Sequence, residues 1–187
     1  MHRHVLLAIV ALLPVFVSAD PRATVYSVEG RVEIRRAGTD GWLAAERGAA
    51  LEVDDTIRTG TDSRAGVLFS TNALLRLGGD SEVRLLPDAA GAAEQAQGLE
   101  LHQGESHLLS RNPTRMPRVV TPYVSAAIRG TELVVAVRDS RATVSVLEGV
   151  VECENSFGGV RLTKGEQAVA DGTGAPVKAL LVDPTRA

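Results

Sequence analysis

Val119-Val-Thr-Pro-Tyr-Val-Ser-Ala-Ala-Ile128-Arg-Gly-Thr-Glu-Leu-Val-Val-Ala-Val137, followed by Arg138-Asp-Ser-Arg141 and Ala142-Thr-Val-Ser-Val-Leu147, decides the fold. Leu133, Val135 and Val137 alternate with Glu132, Val134, Ala136 and Arg138. Beyond Asp139-Ser140, Ala142, Val144 and Val146 alternate with Thr143, Ser145 and Leu147. Two period-2 runs around a short polar link predict a tight antiparallel hairpin. Upstream, Pro122 pushes Thr121 toward extended geometry, and the small-residue run from Tyr123 to Ile128 reads as a short strand. Gly130 interrupts the two runs and is expected to bend the chain where no side chain fits.

Outward from this stretch the same grammar repeats. Thr24 to Ile34, Leu51 to Ile57, Ala65 to Phe69, Ala73 to Leu77 and Glu82 to Leu86 are short apolar or alternating runs, punctuated by Gly, Asp and Ser. Leu99 to Leu109 resumes the pattern around Gly104, and Val160 to Ala170 forms a last pair around Lys164-Gly165. Such spacing predicts an all-β fold. Val28-Glu29-Gly30-Arg31-Val32-Glu33 echoes Leu147-Glu148-Gly149-Val150-Val151-Glu152, and Leu101-His102-Gln103-Gly104-Glu105 echoes Leu162-Thr163-Lys164-Gly165-Glu166. Strand, glycine bend, strand suggests a twisted β-solenoid or a sandwich-like arrangement with solenoid-like corners. Pro87 to Gly98 carries no side chain larger than glutamine inside it and reads as an exposed loop.

The N-terminus begins Met1-His2-Arg3-His4, continues as an apolar run to Val17 and ends in Ser18-Ala19-Asp20. Residues 1–19 read as a secretory signal peptide cleaved after Ala19, too short in its apolar part for a comfortable membrane span. Residues 20–175 are expected to form one β domain and residues 176–187 a flexible C-terminal tail, in a periplasmic or secreted protein without a membrane span in the mature chain. The formal charge of -3 becomes -4 without Arg3, and mild acidity argues against nucleic-acid binding. Three Phe, two Tyr and one Trp provide no platform for stacking bases. The single Cys153 cannot close an internal disulfide, so the fold rests on its apolar core.

A search for chemistry finds little. There is neither a Gly-x-Ser-x-Gly elbow nor a phosphate-binding loop. Asp54 and Asp55 are adjacent and would face opposite sides of a strand; they read as a solvated turn entry. His102 and His107, with Glu100 and Glu105 nearby, match no common zinc spacing and read as a solvated strand face. Cys153 reads as a small half-buried hydrophobe. No catalytic residue, metal or cofactor is expected. Arg111, Arg115 and Arg118 form a local positive cluster that, with Trp42, is the candidate contact surface for a partner.

Thr121-Pro122, then Ile128-Arg129-Gly130-Thr131 and a valine-rich strand, resemble the core signature of the FecR domain family. Gly30-Arg31-Val32, Trp42, Gly48, the run Asp54 to Gly60, Ala65 to Phe69, Leu75-Arg76-Leu77 and Ser81 to Leu85 occur in the order that family shows. The resemblance spans Val25 to Ala170. It implies a non-catalytic, all-β, solenoid-like domain of the kind found in sensor-regulators that relay a signal from an outer-membrane receptor to a cytoplasmic sigma factor. Cytoplasmic anti-sigma part, spanning helix and receptor-docking domain are not recognised here, so the resemblance implies the domain alone, as a protein-binding or scaffold module. Its partner would be an envelope protein or, as the alternative, an envelope glycan or lipopolysaccharide gripped by Trp42, Tyr26 or Tyr123. Within Arg129-Gly130-Thr131 the expected roles are structural: glycine at a bend, threonine bonding local backbone, arginine covering strand ends.

Overall fold

The computed structural model describes residues 21–87, 98–110 and 118–181. The expected signal peptide, residues 88–97 of the expected loop, and Arg111 and Arg115 lie outside the described residues. Strands β1 (Ala23–Glu29), β2 (Val32–Arg35), β3 (Trp42–Ala44), β4 (Ala50–Leu51), β5 (Thr56–Thr59), β6 (Arg64–Phe69), β7 (Leu74–Leu77) and β8 (Glu82–Leu86) are short. Next come the long β9 (Gly98–Leu109), the short β10 (Arg118–Val120), and the long β11 (Ser125–Arg138) and β12 (Arg141–Asn155). The last three are β13 (Gly158–Thr163), β14 (Glu166–Ala170) and β15 (Val177–Leu180). There is no helix among the described residues, so the predicted all-β class is what forms.

The hydrogen-bond ladder makes a sandwich whose two layers share their long strands. The first layer runs β4-β1-β6-β7, continues through residues 104–109 of β9, 132–138 of β11 and 141–146 of β12, and ends in β14 and β15. The second runs β3-β2-β5-β8, then the first half of β9, β10, the first half of β11, the second half of β12, and β13. All pairings are antiparallel except β9 with β10. Alternate residues of both layers point inward, and the core between them holds Val25, Ile57, Phe69, Leu75, Leu101, Leu108, Leu133, Val144, Val146 and Leu162, each at most 1 % exposed. Burial of this kind, at about 25 cal/mol per Å² of apolar surface, drives the two layers together.

Each passage from one layer to the other is a corner. Gly30, Gly104, Gly149 and Gly165 have φ of 72°, 87°, 98° and 81°, so the four echoed segments coincide with four corners that need the left-handed region. The corners of the first half are bonded into a stack. The Arg31 amide donates to Ser63 Oγ at 2.9 Å, the Gly60 amide to the Arg31 carbonyl at 2.8 Å, the Asp80 amide to the Gly60 carbonyl at 3.1 Å, and the Glu105 amide to Ser81 Oγ at 2.9 Å. The hairpin predicted at Asp139-Ser140 is present, Arg138 facing Arg141, with φ of 48° and 58° at the two turn residues.

Two expectations are corrected. Gly130 does not bend the chain out of its strand: β11 runs through it. Its φ is not among the positive values; instead a Cβ there would lie 2.5 Å from Gly149 Cα. The two strands cross at a pair of glycines, and the ladder slips by one residue between Arg129 and Glu132 and recovers at Leu133 opposite Val146. Nor is all of 176–187 a loose tail. Val177–Leu180 pairs with β14, Val177 facing Val169, and Lys178 Nζ lies 2.7 Å from a Glu166 oxygen; residues 182–187 lie outside the described residues.

Candidate functional site

Thr121 and Pro122 open the turn between β10 and β11. Thr121 is buried; its hydroxyl donates to the Val124 carbonyl at 2.9 Å and accepts from the amides of Tyr123 and Val124 at 3.2 and 3.0 Å. All of its bonding capacity is spent locally, so it sets the turn and presents nothing outward. Asn155, from the end of β12, ties the same turn down by donating to the Tyr123 and Gly174 carbonyls at 3.3 and 2.9 Å.

Arg129 behaves differently. In the first half of β11, Ala126 is buried while Ala127 and Arg129 are exposed. Arg129 has no carboxylate within ion-pair distance among the described residues. Val119 faces Ala126, which puts Arg118 beside Ala127 and one diagonal step from Arg129. Arg118 is exposed and also unpaired among the described residues, as is Arg161 on β13, which sits opposite Glu152 in register. On the other half of this outer face the arginines are matched: Arg58 with Glu33 at 2.9 Å, Arg84 with Glu100 at 2.8 Å and Arg35 with Glu82 at 4.0 Å. One face thus has a half whose arginines are paired within the sheet and a half whose arginines make no ion pair with a described residue. Between Arg118 and Glu152 in register lies Ala127, with Ser125 the next outward residue of β11, so the floor there is made of small side chains.

Trp42 lies on the paired half. The Arg58 guanidinium stands 3.8 Å and that of Arg35 4.8 Å from its ring centroid. Its ring makes cation–π contacts within the protein. Tyr26 has Arg47 at 5.7 Å from its ring. Asp55, expected to be solvated, is 2 % exposed: its carboxylate accepts from Arg36 Nη1 at 2.6 Å and from the Ala37 and Glu52 amides at 2.9 and 3.1 Å. Its neighbour Asp54 is exposed and sits at φ 66°. Asp55 is therefore a buried clamp on the loop before β5, with hydrogen bonds of the charge-assisted kind.

His102 and His107 do not converge. His102 Nε2 is 3.5 Å from Glu100, whereas His107 Nε2 is 2.7 Å from Glu132 on β11. Among the described residues no group of three or more His, Cys, Asp or Glu side chains is placed to hold a metal ion. Cys153 is fully rather than half buried, and burial pushes its thiol up to about 12, so almost none is thiolate at neutral pH.

The sequence matches the FecR family, described as FecR protein, over residues 55–152, more than half of the chain. The chain belongs to the FecR family. The match begins at the buried clamp Asp55 and ends within β12, enclosing the glycine crossing and the signature arginine. Two crystal structures of a candidate anti-sigma factor from Parabacteroides distasonis ATCC 8503, at 1.65 and 2.50 Å resolution, each align with 18 % identity and a TM-score of 0.56. Each alignment covers 67 % of this chain and 59 % of the other, so the FecR chain spans about three-fifths of that protein's length. The likeness is one of fold. No curated protein matches the sequence. No helix among the described residues is long and apolar enough to cross a membrane.

Proposed function

We propose that this FecR chain is a non-catalytic, exported protein-binding module of a signalling system, working in the periplasm through the outer face of its second layer. The observation that carries the reading is Arg129. A guanidinium at the heart of the family signature makes no ion pair with any described residue, yet it is held on a long, doubly paired strand beside a second arginine without such a partner and a floor of small residues. Arginine is a favoured anchor of protein interfaces, and flat small-residue floors let a partner's backbone approach. Membership of the FecR family and the fold shared with a candidate anti-sigma factor support a place in signalling. The signal-peptide pattern of residues 1–19 supports export.

Arg129→Ala separates contact from scaffold. As an exposed, unpaired side chain it should change stability by no more than about 0.5 kcal/mol, leaving the melting temperature within about 2 °C. Affinity capture from envelope extract with the chain as bait should retain a discrete protein, and the variant should weaken that binding by about 2 kcal/mol, or about 30-fold. Undiminished capture by Arg129→Ala would remove this face from the interface. A melting temperature lowered by several degrees would return Arg129 to a structural role.

A further inference from the structure

The corners of this sandwich change edge half-way through the chain. Gly104 faces Val137 at one end of the second half of β11, whereas Leu109 faces Glu132 at the other. The β9 corner therefore lies at the edge where β11 and β12 turn at Asp139-Ser140, and the corners of β11 and β12, near Gly130 and Gly149, lie at the opposite edge. On the first edge, the stacked corners that close the space between the layers end at Gly104. Beyond it the hairpin tip belongs to one layer and the turn at Thr121–Val124 to the other, and the chain that next reaches across is residues 171–176, where Gly172 lies against the Tyr123 ring and the Gly174 carbonyl accepts from Asn155. Between Gly104 and that crossing a cavity of about 670 Å³ opens. Ligand sites favour concave openings in which a few polar groups converge.

The lining is polar and largely uncommitted. Asp80, Gln103, Tyr123, Arg138, Asp139 and Ser140 reach the cavity. Asp80 accepts from Thr61 Oγ1 at 2.9 Å, and Arg138 donates to Glu105 at 3.4 Å. The side chains of Gln103, Asp139 and Ser140 and the Tyr123 hydroxyl bond to no other described residue. Two carboxylates against one guanidinium disfavour an anion, while Arg138 disfavours a cation. Gln103, Ser140 and Tyr123 can each donate and accept, which matches hydroxyl groups, since these do the same. A carboxylate edge at Asp139 can take two neighbouring hydroxyls, and the Tyr123 ring beside Gly172 offers an apolar wall for a sugar's C–H face.

The geometry points to a binding site for a neutral, hydroxyl-rich ligand the size of one or two sugar residues, at the edge of the sandwich and separate from the Arg129 face. The test uses the full chain on an immobilised panel of neutral and acidic bacterial oligosaccharides, followed by NMR titration of the 15N-labelled protein with the best-retained neutral one. Neutral oligosaccharides should be retained, with amide shifts confined to residues 79–80, 102–104, 123 and 137–140. Gln103→Ala and Asp139→Gly should each weaken binding by about fivefold or more. Glycine accepts the φ of 48° at position 139, so the hairpin and the melting temperature should hold. Arg129→Ala should leave the affinity unchanged. An empty panel, retention of acidic oligosaccharides alone, binding indifferent to both cavity variants, or an equal loss in Arg129→Ala would each overturn the assignment.

Discussion

Gly130→Val should leave the protein unable to reach its native state, or lower its melting temperature by about 6–12 °C, corresponding to about 3 kcal/mol. The side chain is not refused by backbone conformation, because φ at Gly130 is not positive. It is refused by another backbone. A Cβ would stand 2.5 Å from Gly149 Cα, 2.9 Å from the Glu148 carbonyl oxygen and 3.0 Å from the Val150 nitrogen. None of these can rotate away as a side-chain tip could, so β11 and β12 would have to separate where they pass between layers. Since Cβ alone makes the contact, Gly130→Ala should be nearly as damaging. Thermal unfolding followed by far-ultraviolet circular dichroism measures both. A fall under about 2 °C in either would show that the crossing is looser than described.

Gly104→Ala should cost as much by two routes at once. At φ 87° an L-residue is strained by about 1–2 kcal/mol. In addition its Cβ would overlap Ser81 Oγ and Cα and lie 2.7 Å from the Asp80 carbonyl oxygen. Ser81 cannot yield freely. It is fully buried, accepts from the Glu105 amide at 2.9 Å, and its own amide donates to Thr59 Oγ1 at 3.0 Å. Displacing it breaks the bonded stack of corners as well as the local turn. The total should be about 3–5 kcal/mol. Ser81→Gly in the same chain removes the Oγ overlap but not the strain, so the double variant should recover part of the loss. A double-mutant cycle with no coupling would contradict the close approach.

Much of this architecture can be read from the chain itself. Period-2 alternation announced the hairpin at Asp139-Ser140, and glycine between short strands announced corners. What sequence could not show is which strand lies opposite. Gly130 reads as a bend because Gly149, its reason, lies across a hairpin. Asp55 reads as solvated because Arg36 and the Ala37 amide, which bury and satisfy it, precede it by a whole strand pair. Trp42 reads as a partner contact, and only β2 and β5 reveal that Arg35 and Arg58 stand against its ring. The change of edge after Gly104 leaves no local mark, since a corner looks alike in sequence on either side of the sandwich. Arg129 was in plain view, but that no described residue pairs with it is a property of the whole face. One signal could have helped: Ser125 and Ala127, the outward residues that precede Arg129 in β11, are too small and too uncharged to neutralise it.

The central claim is that β11 is one continuous strand serving both layers, locked to β12 at the glycine crossing, with Arg129 displayed on its outer side. Native-state hydrogen exchange of the β11 amides tests this most directly. Inward residues on either side of Gly130, such as Ala126 and Ile128 before it and Leu133 and Val135 after it, should exchange only through a shared unfolding event, with equal free energies and equal denaturant dependence. Ala126 and Ile128 exchanging through a separate, lower-energy opening while Leu133 and Val135 stay protected would show two strands joined by a hinge, and would contradict it.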